Sequence, residues 1–354
     1  LLVVLVTGAS GFVALHCVRR LLLGPYRVRA LCAHSRMRRR VEPLRRLPFA
    51  AEKLELVEAD LLQPDNWTEV LAGCTFVLHV ASPWLIVADS SIIRTAVDGT
   101  LTVLRAAAAR PEIQKVVLTS SCTAVNDGHK NSERVFDETC WTRLKSAKVD
   151  FYARSKTLAE RAAWDYWYSL PEDSRFELTV LNPTLVFGPV LSDVEHGCAT
   201  ILARMMSPRT SPAHPKASLG LVDVHNVAEA HVRCLEPSRR QATNGERILV
   251  TARHSAWYSD IATWLHEEFA KHGYTIPTWE TPTWLLRLYA STGFDPEARA
   301  VVARVGKELR FENRKSRRLL GMTYRDVRSS VVEMMHSMIA HGMVRETKAY
   351  LAAR

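Results

Sequence analysis

The chain of 354 residues is 47% hydrophobic and carries a formal net charge of +10 at neutral pH. It is long enough for one large domain or two smaller lobes, and no apolar run approaches the roughly 20 residues a membrane-spanning helix needs. The basic excess asks for an anionic partner, and much of it sits in SRMRRRVEPLRR, residues 35–46.

In chain order, LLVVLVTG reads as a buried strand, since it lacks the basic n-region and small-residue cleavage site of a signal peptide. FVALHCVRRLLLG reads as a helix closing at Gly24, and YRVRALC as the second strand. The strands KLELVEAD, TFVLHVASP and KVVLTSS follow, with helices over NWTEVLAGC and SIIRTAVDGTLTVLRAAAAR between them. A helix from Tyr152 and the strand LTVLNPTLVFG complete the alternation. Strands alternating with helices in this way predict parallel βαβ units, a sheet covered on both faces, and ligands at the carboxyl ends of the strands. Residues 206–220, rich in Pro and Ser, read as an ordered loop or lid. Beyond ERILVT the pattern is mostly helical, over DIATWLHEEFAKHG, EARAVVARVGKELR and DVRSSVVEMMHSMIAHG. There Trp257, Trp264, Trp279 and Trp284 suggest a packed helical core, whereas His196 and His214 read as solvated loop histidines.

The seven cysteines are scattered, odd in number and form no C-x-x-C, which predicts reduced thiols in a cytoplasmic protein. His266-Glu267-Glu268 is not followed by the second histidine of a zinc helix, so no metal is expected.

VTGASGFVA places Thr7-Gly8-x-x-Gly11-x-x-Ala14 between a strand and a helix. Small residues there allow a tight turn, close backbone approach to a pyrophosphate, and close packing of helix on strand. Gly8, Ser10, Gly11, Phe12 and Val13 are therefore candidate cofactor contacts. An NAD-specific site would have an acid at the end of the second strand. Here no acid precedes Glu42, and Arg36, Arg38, Arg39 and Arg40 follow instead. An arginine grips a 2′-phosphate through two hydrogen bonds, so NADP(H) is favoured over NAD(H), with Arg36 or Arg40 as the clamp. Asp60-Leu61 is placed to meet the adenine, although an aspartate there serves equally as a turn or cap residue. Val80, Ala81 and Ser82 end another strand with side chains that let the cofactor pass.

Tyr152 and Lys156 are four residues apart and share one helix face. Hydride delivery to a carbonyl leaves an alkoxide that needs a proton. A tyrosine whose pKa is lowered by a neighbouring ammonium can donate it. Thr119, Ser120 and Ser121 end a strand, and a hydroxyl from Ser121 could hold the carbonyl oxygen in the same cleft.

These stretches resemble the extended short-chain dehydrogenase/reductases of the NAD-dependent epimerase/dehydratase superfamily, especially the dihydroflavonol reductase and cinnamoyl-CoA reductase branch. VTGASGFVA, HVASP, VDGTLTVLRAA, VVLTSS, FDETCW and YARSKTLAERAAW are similar to its successive landmarks. The likeness continues through LNPTLVFGPVL and VDVHNVAEAHVRCLE to the C-terminal FENRKSRRLLGMTYRDVRSSVVEMMHSMIAHG. The resemblance implies a Rossmann-type doubly wound parallel sheet with a smaller, mostly helical C-terminal substrate lobe. The NADP-binding core would span 1–189 with 217–251 returning to it, and the lobe 190–216 and 252–354. It implies the catalytic triad Ser121, Tyr152 and Lys156, with Thr119 beside the cofactor and Pro183, Thr184, Leu185 and Val186 lining its nicotinamide end. The implied activity is NADP-dependent reduction of an aldehyde or ketone to an alcohol.

The expected partner is a small carbonyl or alcohol substrate, with no nucleic acid and no membrane, for a monomer or homodimer. The alternatives are a 3β-hydroxysteroid dehydrogenase or a nucleotide-sugar epimerase of the same fold. The latter would need a second phosphate grip, for which Arg287, Arg299 and Arg304 are available. A non-catalytic NADP sensor or scaffold is a further alternative, but it would not need all three catalytic residue types. The chain departs from the branch at Ala33, where an arginine usually binds the 2′-phosphate, and at Asn226, where an acid is usual. Asn226 is expected to cap a helix instead. Asn126 follows Ser121 at the spacing seen in flavonoid reductases, and 190–216 carries no match that names a substrate.

Overall fold

The structure is a computed structural model that describes residues 1–32, 37–63, 65–82, 89–129, 134–209, 211–292, 302, 305–306 and 308–353. Seven strands form the central sheet: β1 (Leu2–Thr7), β2 (Tyr26–Cys32), β3 (Leu54–Glu58), β4 (Phe76–His79), β5 (Lys115–Thr119), β6 (Glu177–Pro183) and β7 (Glu246–Val250). All pairings are parallel, in the order β7-β6-β5-β4-β1-β2-β3. The order reverses between β1 and β4, and the crevice outside the carboxyl ends of those strands is where such sheets bind ligands.

Successive strand residues point to opposite faces, and β1 shows why its run had to be apolar throughout. Val4 and Val6 pack into one core with α1 (Phe12–Leu22), while Leu5 packs into another across the sheet. The second core is roofed by α2 (Ser91–Ala108) and α3 (Phe151–Ser169), which pack along each other. On the first face α1 packs against α5 (Val224–Arg233), while α4 (Gly197–Met205), earlier in the chain, lies elsewhere. A third core gathers α4, α6 (Tyr258–Phe269) and α7 (Val327–Ala340). It is rich in methionine and also takes in Phe12, the first residue of α1.

Four expectations change. The stretch LTVLNPTLVFG is two strands, for the chain leaves the sheet after Pro183 and Leu185–Phe187 pairs instead with Leu221–Asp223. The loop at 206–220 contains two short strands, with His214–Pro215 pairing with Glu280–Thr281 and Ser218–Leu219 with Ala256–Trp257. His214 is therefore buried, its Nε2 2.6 Å from the Pro277 carbonyl oxygen. Trp279 and Trp284 are 60% and 68% exposed; Trp284 lies on the helix Thr283–Thr292, which turns only Ala290 fully inward, and Trp279 precedes it. Most of EARAVVARVGKELR lies outside the described residues.

Candidate active site

The β1–α1 turn is built by close approach. Gly8 has φ +62°, and a Cβ on it would sit 2.9 Å from the Cα of Ala81. Only glycine meets both demands. The Gly11 N–H closes the turn on the Gly8 carbonyl at 2.8 Å, and α1 then begins with no side-chain cap. Its first-turn N–H groups, those of Phe12 and Val13 among them, are thus left to an anion. The Thr7 hydroxyl accepts from the Ala81 N–H at 3.1 Å and shares a 2.8 Å hydrogen bond with His79 Nδ1, locking the ends of β1 and β4 together. Burial, aided by the nearby Lys156 ammonium, depresses the His79 imidazole to about 3 and keeps it neutral.

A cleft runs from here along the strand ends, lined by Leu61, Ala81, Ser82, Thr119 and Lys156. The Thr119 hydroxyl is tied to His231 Nε2 at 2.7 Å. Asp60 is exposed and its Oδ1 accepts from the Leu62 N–H at 2.9 Å, the turn role that its side chain could equally fill. Val80 is half-buried. Ser10 hydrogen-bonds the Cys32 thiol at the end of β2, and the half-buried Arg40 lies near enough to that thiol to act on it electrostatically. Arg36 lies outside the described residues, as do Ala33, Arg299 and Arg304. Thr184 is buried with its hydroxyl on Thr251 at 3.1 Å, while Leu185 and Val186 are half-buried where the chain leaves Pro183.

Asp150 caps α3 by accepting from the Ala153 N–H at 2.7 Å, which starts the helix so that Tyr152 and Lys156 come on its first two turns. Tyr152 hydrogen-bonds Ser121, and Lys156 Nζ lies 6.0 Å from the Tyr152 ring centroid. Ser121 also accepts from the Thr123 N–H at 3.2 Å and Thr123 Oγ1 at 3.1 Å, which fixes its rotamer at the end of β5. The three residues thus meet. Their electrostatics differ from expectation, however. Burial pushes the Tyr152 phenol above its ordinary range, the Cys122 thiol adds to this, and the Ser121 bond only partly opposes it. Burial lowers the Lys156 ammonium to about 8, against the Glu160 carboxylate, which raises it.

Next to these three residues is a polar cluster that motif reading did not assign. Glu160 accepts from Ser120 Oγ at 2.6 Å, Asn182 Nδ2 at 2.8 Å and Arg247 Nε. A signal for Glu160 was available, because it follows Lys156 by four residues and shares its face. Arg247 left none, being 87 residues away.

Asn126 is buried with Nδ2 on Asp127 Oδ1 at 3.3 Å, and its Oδ1 has no partner among the described residues. His196 is only half-buried, yet its ring stacks on Phe12 with centroids 4.1 Å apart and planes 7° from parallel. Asn226 does not cap α5. Asp223 does so, accepting from the His225 N–H at 2.7 Å, while Asn226 ties the helix to Thr323 and Arg325.

Residues 4–250 match the model of the NAD dependent epimerase/dehydratase family. The cinnamoyl-CoA reductase CAD2 of Medicago truncatula is 36% identical over 272 residues, 75% of this chain and 80% of that one. The dihydroflavonol 4-reductase of Zea mays is 36% identical over 197 residues, 53% of this chain and 54% of its own. Among solved structures, the yeast methylglyoxal/isovaleraldehyde reductase Gre2 complexed with NADPH superposes with a TM-score of 0.76 at 26% identity, covering 97% of this chain and 99% of that one. The chain belongs to the NAD dependent epimerase/dehydratase family, among its extended short-chain dehydrogenase/reductases.

Proposed function

We propose that the chain is an NADP-dependent carbonyl reductase that converts an aldehyde or ketone to an alcohol, with Ser121, Tyr152 and Lys156 as its proton relay. The observation that carries the reading is the Tyr152–Ser121 hydrogen bond beside Lys156, at the same crevice as an uncapped helix start and a glycine that admits no side chain. The reductases named above, one of them bound to NADPH, support it.

In this reading Gly8, Ser10, Gly11, Phe12 and Val13 hold the pyrophosphate, and Arg36 or Arg40 the 2′-phosphate. Asp60 and Leu61 face the adenine, Val80, Ala81, Ser82 and Thr119 border the path, and Pro183, Thr184, Leu185 and Val186 border the nicotinamide. The segments 190–216 and 252–354 form the substrate lobe over the core of 1–189 and 217–251. When bound, NADPH supplies the hydride. As charge grows on the carbonyl oxygen, the Ser121 hydroxyl holds it and the Tyr152 hydroxyl passes its proton to it. A phenol held protonated by burial suits that direction. Lys156 orients the cofactor ribose and favours the charge left on Tyr152 as the proton departs. Lys156 is charged below about 8, so reduction falls as pH rises through that value. The scattered cysteines of the sequence, odd in number, support a cytoplasmic location.

The test is a titration with NADPH and with NADH, then single-turnover oxidation of bound NADPH against a panel of aldehydes and ketones. Tight NADPH binding and turnover that Tyr152→Phe abolishes are expected. Tight binding without turnover, and a variant indistinguishable from the parent, would replace the reductase by an NADP sensor.

A further inference from the structure

Glu160 lies one turn beyond Lys156 on α3, and its side chain is wholly shielded from solvent. Its carboxylate accepts from Ser120 Oγ at 2.6 Å, Asn182 Nδ2 at 2.8 Å and Trp164 Nε1 at 3.4 Å, besides the Arg247 guanidinium. Arg247 is fixed in turn. Its Nη1 donates to the carbonyls of Glu138 at 2.8 Å and Cys140 at 2.9 Å, and the guanidinium stacks 3.6 Å from the centre of a Trp141 ring. The partners of this one carboxylate come from the residue just past β5, from β6, from β7 and from its own helix.

Stability alone is a weak reason for such a cluster, since a buried ion pair gains little over well-packed apolar residues of the same volume. Its place in the fold is more informative. Ser120 and Ser121 are neighbours at the end of β5 with divergent side chains: Ser120 reaches Glu160, and Ser121 reaches Tyr152. Asn182 bonds both Glu160 and the Ser121 carbonyl, the latter at 3.2 Å. Glu160 also lines the same cavity as Lys156, together with His79 of β4, the hydroxyl-bearing Thr119 that ends β5, and Ser120 just past it. The groups acting on Lys156 there are the neutral His79, Tyr152 and Glu160, and among the described lining residues Glu160 is the carboxylate.

We propose that Glu160 is a positioning residue for the proton relay: it anchors the Ser120–Ser121 strand end against α3 and supplies the counter-charge that keeps Lys156 an ammonium. What the relay does rests on the reductase reading, whereas the charge of Lys156 does not.

The experiment follows the Lys156 side-chain nitrogen by NMR across a pH titration of the full chain labelled with ¹⁵N-lysine, its resonance identified by its loss in Lys156→Arg. Glu160→Gln keeps the shape and removes the charge. The Lys156 midpoint is expected to fall in this variant, and Glu160→Asp to recover most of the shift. The high-pH limb of kcat should move the same way, with kcat down by about 10- to 100-fold, the scale of a slightly misplaced relay, and KM little changed. A folded Glu160→Gln chain whose Lys156 titrates at the parent midpoint overturns the proposal. Should that variant not fold, Ser120→Ala cuts the anchor alone. Lower kcat at unchanged NADPH affinity supports the anchor, and parent-like kcat overturns it. A parent chain that reduces no carbonyl, while its Lys156 midpoint still drops on Glu160→Gln, would sink the reductase reading and leave the counter-charge standing.

Discussion

Under the ends of β5, β6 and β7 the interior is polar: Glu160 accepts four hydrogen bonds, and Arg247 binds two carbonyls and an indole face. Around α4, α6 and α7 the interior is apolar, aliphatic, aromatic and thioether, with Met205, Met334, Met335, Met338 and Phe269 all buried. Its main polar joint is Asp223, which accepts from Ser330 Oγ at 2.6 Å and Arg325 Nη1 at 3.2 Å. Directional bonds fix atoms, whereas methionine packing adapts to shape. In the proposed reading the polar core holds the reacting groups in register, while the methionine-rich core tolerates changes of shape in the segments assigned to the substrate.

The contrast can be broken at several points. Tyr152→Phe should lower single-turnover reduction by about 10²- to 10⁴-fold while NADPH affinity, read by fluorescence titration, stays the same. Arg247→Met leaves Glu160 buried without its cation, and urea unfolding should record a loss of about 3–5 kcal/mol. Replacing Glu160 and Arg247 together by methionine should return much of that stability but not the turnover, and recovery of both would erase the distinction drawn here. At the lobe joint, Asp223→Asn should cost about 1–3 kcal/mol at neutral pH. Burial opposes the Asp223 carboxylate, but bonds from His225 and Ser330 outweigh it and hold its pKa below the usual range. Its stabilisation is thus present above the unfolded carboxylate pKa and lost as pH falls through the lower folded value. The gap between parent and Asp223→Asn should accordingly close in acid. Met338→Leu, within the adaptable core, should cost under about 1.5 kcal/mol by the same unfolding assay.

The sheet was legible because its signals are local. Val4, Leu5 and Val6 had to be apolar on both faces, and Gly8 and Gly11 mark the turn that follows. Tyr152 and Lys156 were legible through helical spacing, and Ser121 only in their company. The rest depends on contacts between distant segments. Arg247 carries no local mark of meeting Glu160, and His214 is buried by a pairing with Glu280–Thr281 that no periodicity announces. Trp284 misled because aromatic content does not tell which side of a helix is covered. The Tyr152 phenol departed from expectation for a related reason: spacing brings the ammonium near, but desolvation depends on the whole surrounding fold.

Phe12 opens the helix that follows the glycine turn, yet it belongs to the methionine-rich core and its ring stacks on His196. The two halves are therefore not interchangeable parts. A chimera that takes 190–216 and 252–354 from one relative and the rest from another must match position 12 to the incoming surface, or it will carry a hole or a clash beside the β1–α1 glycine turn. Residue 12, far in sequence from either segment exchanged, is where such a swap should first be repaired.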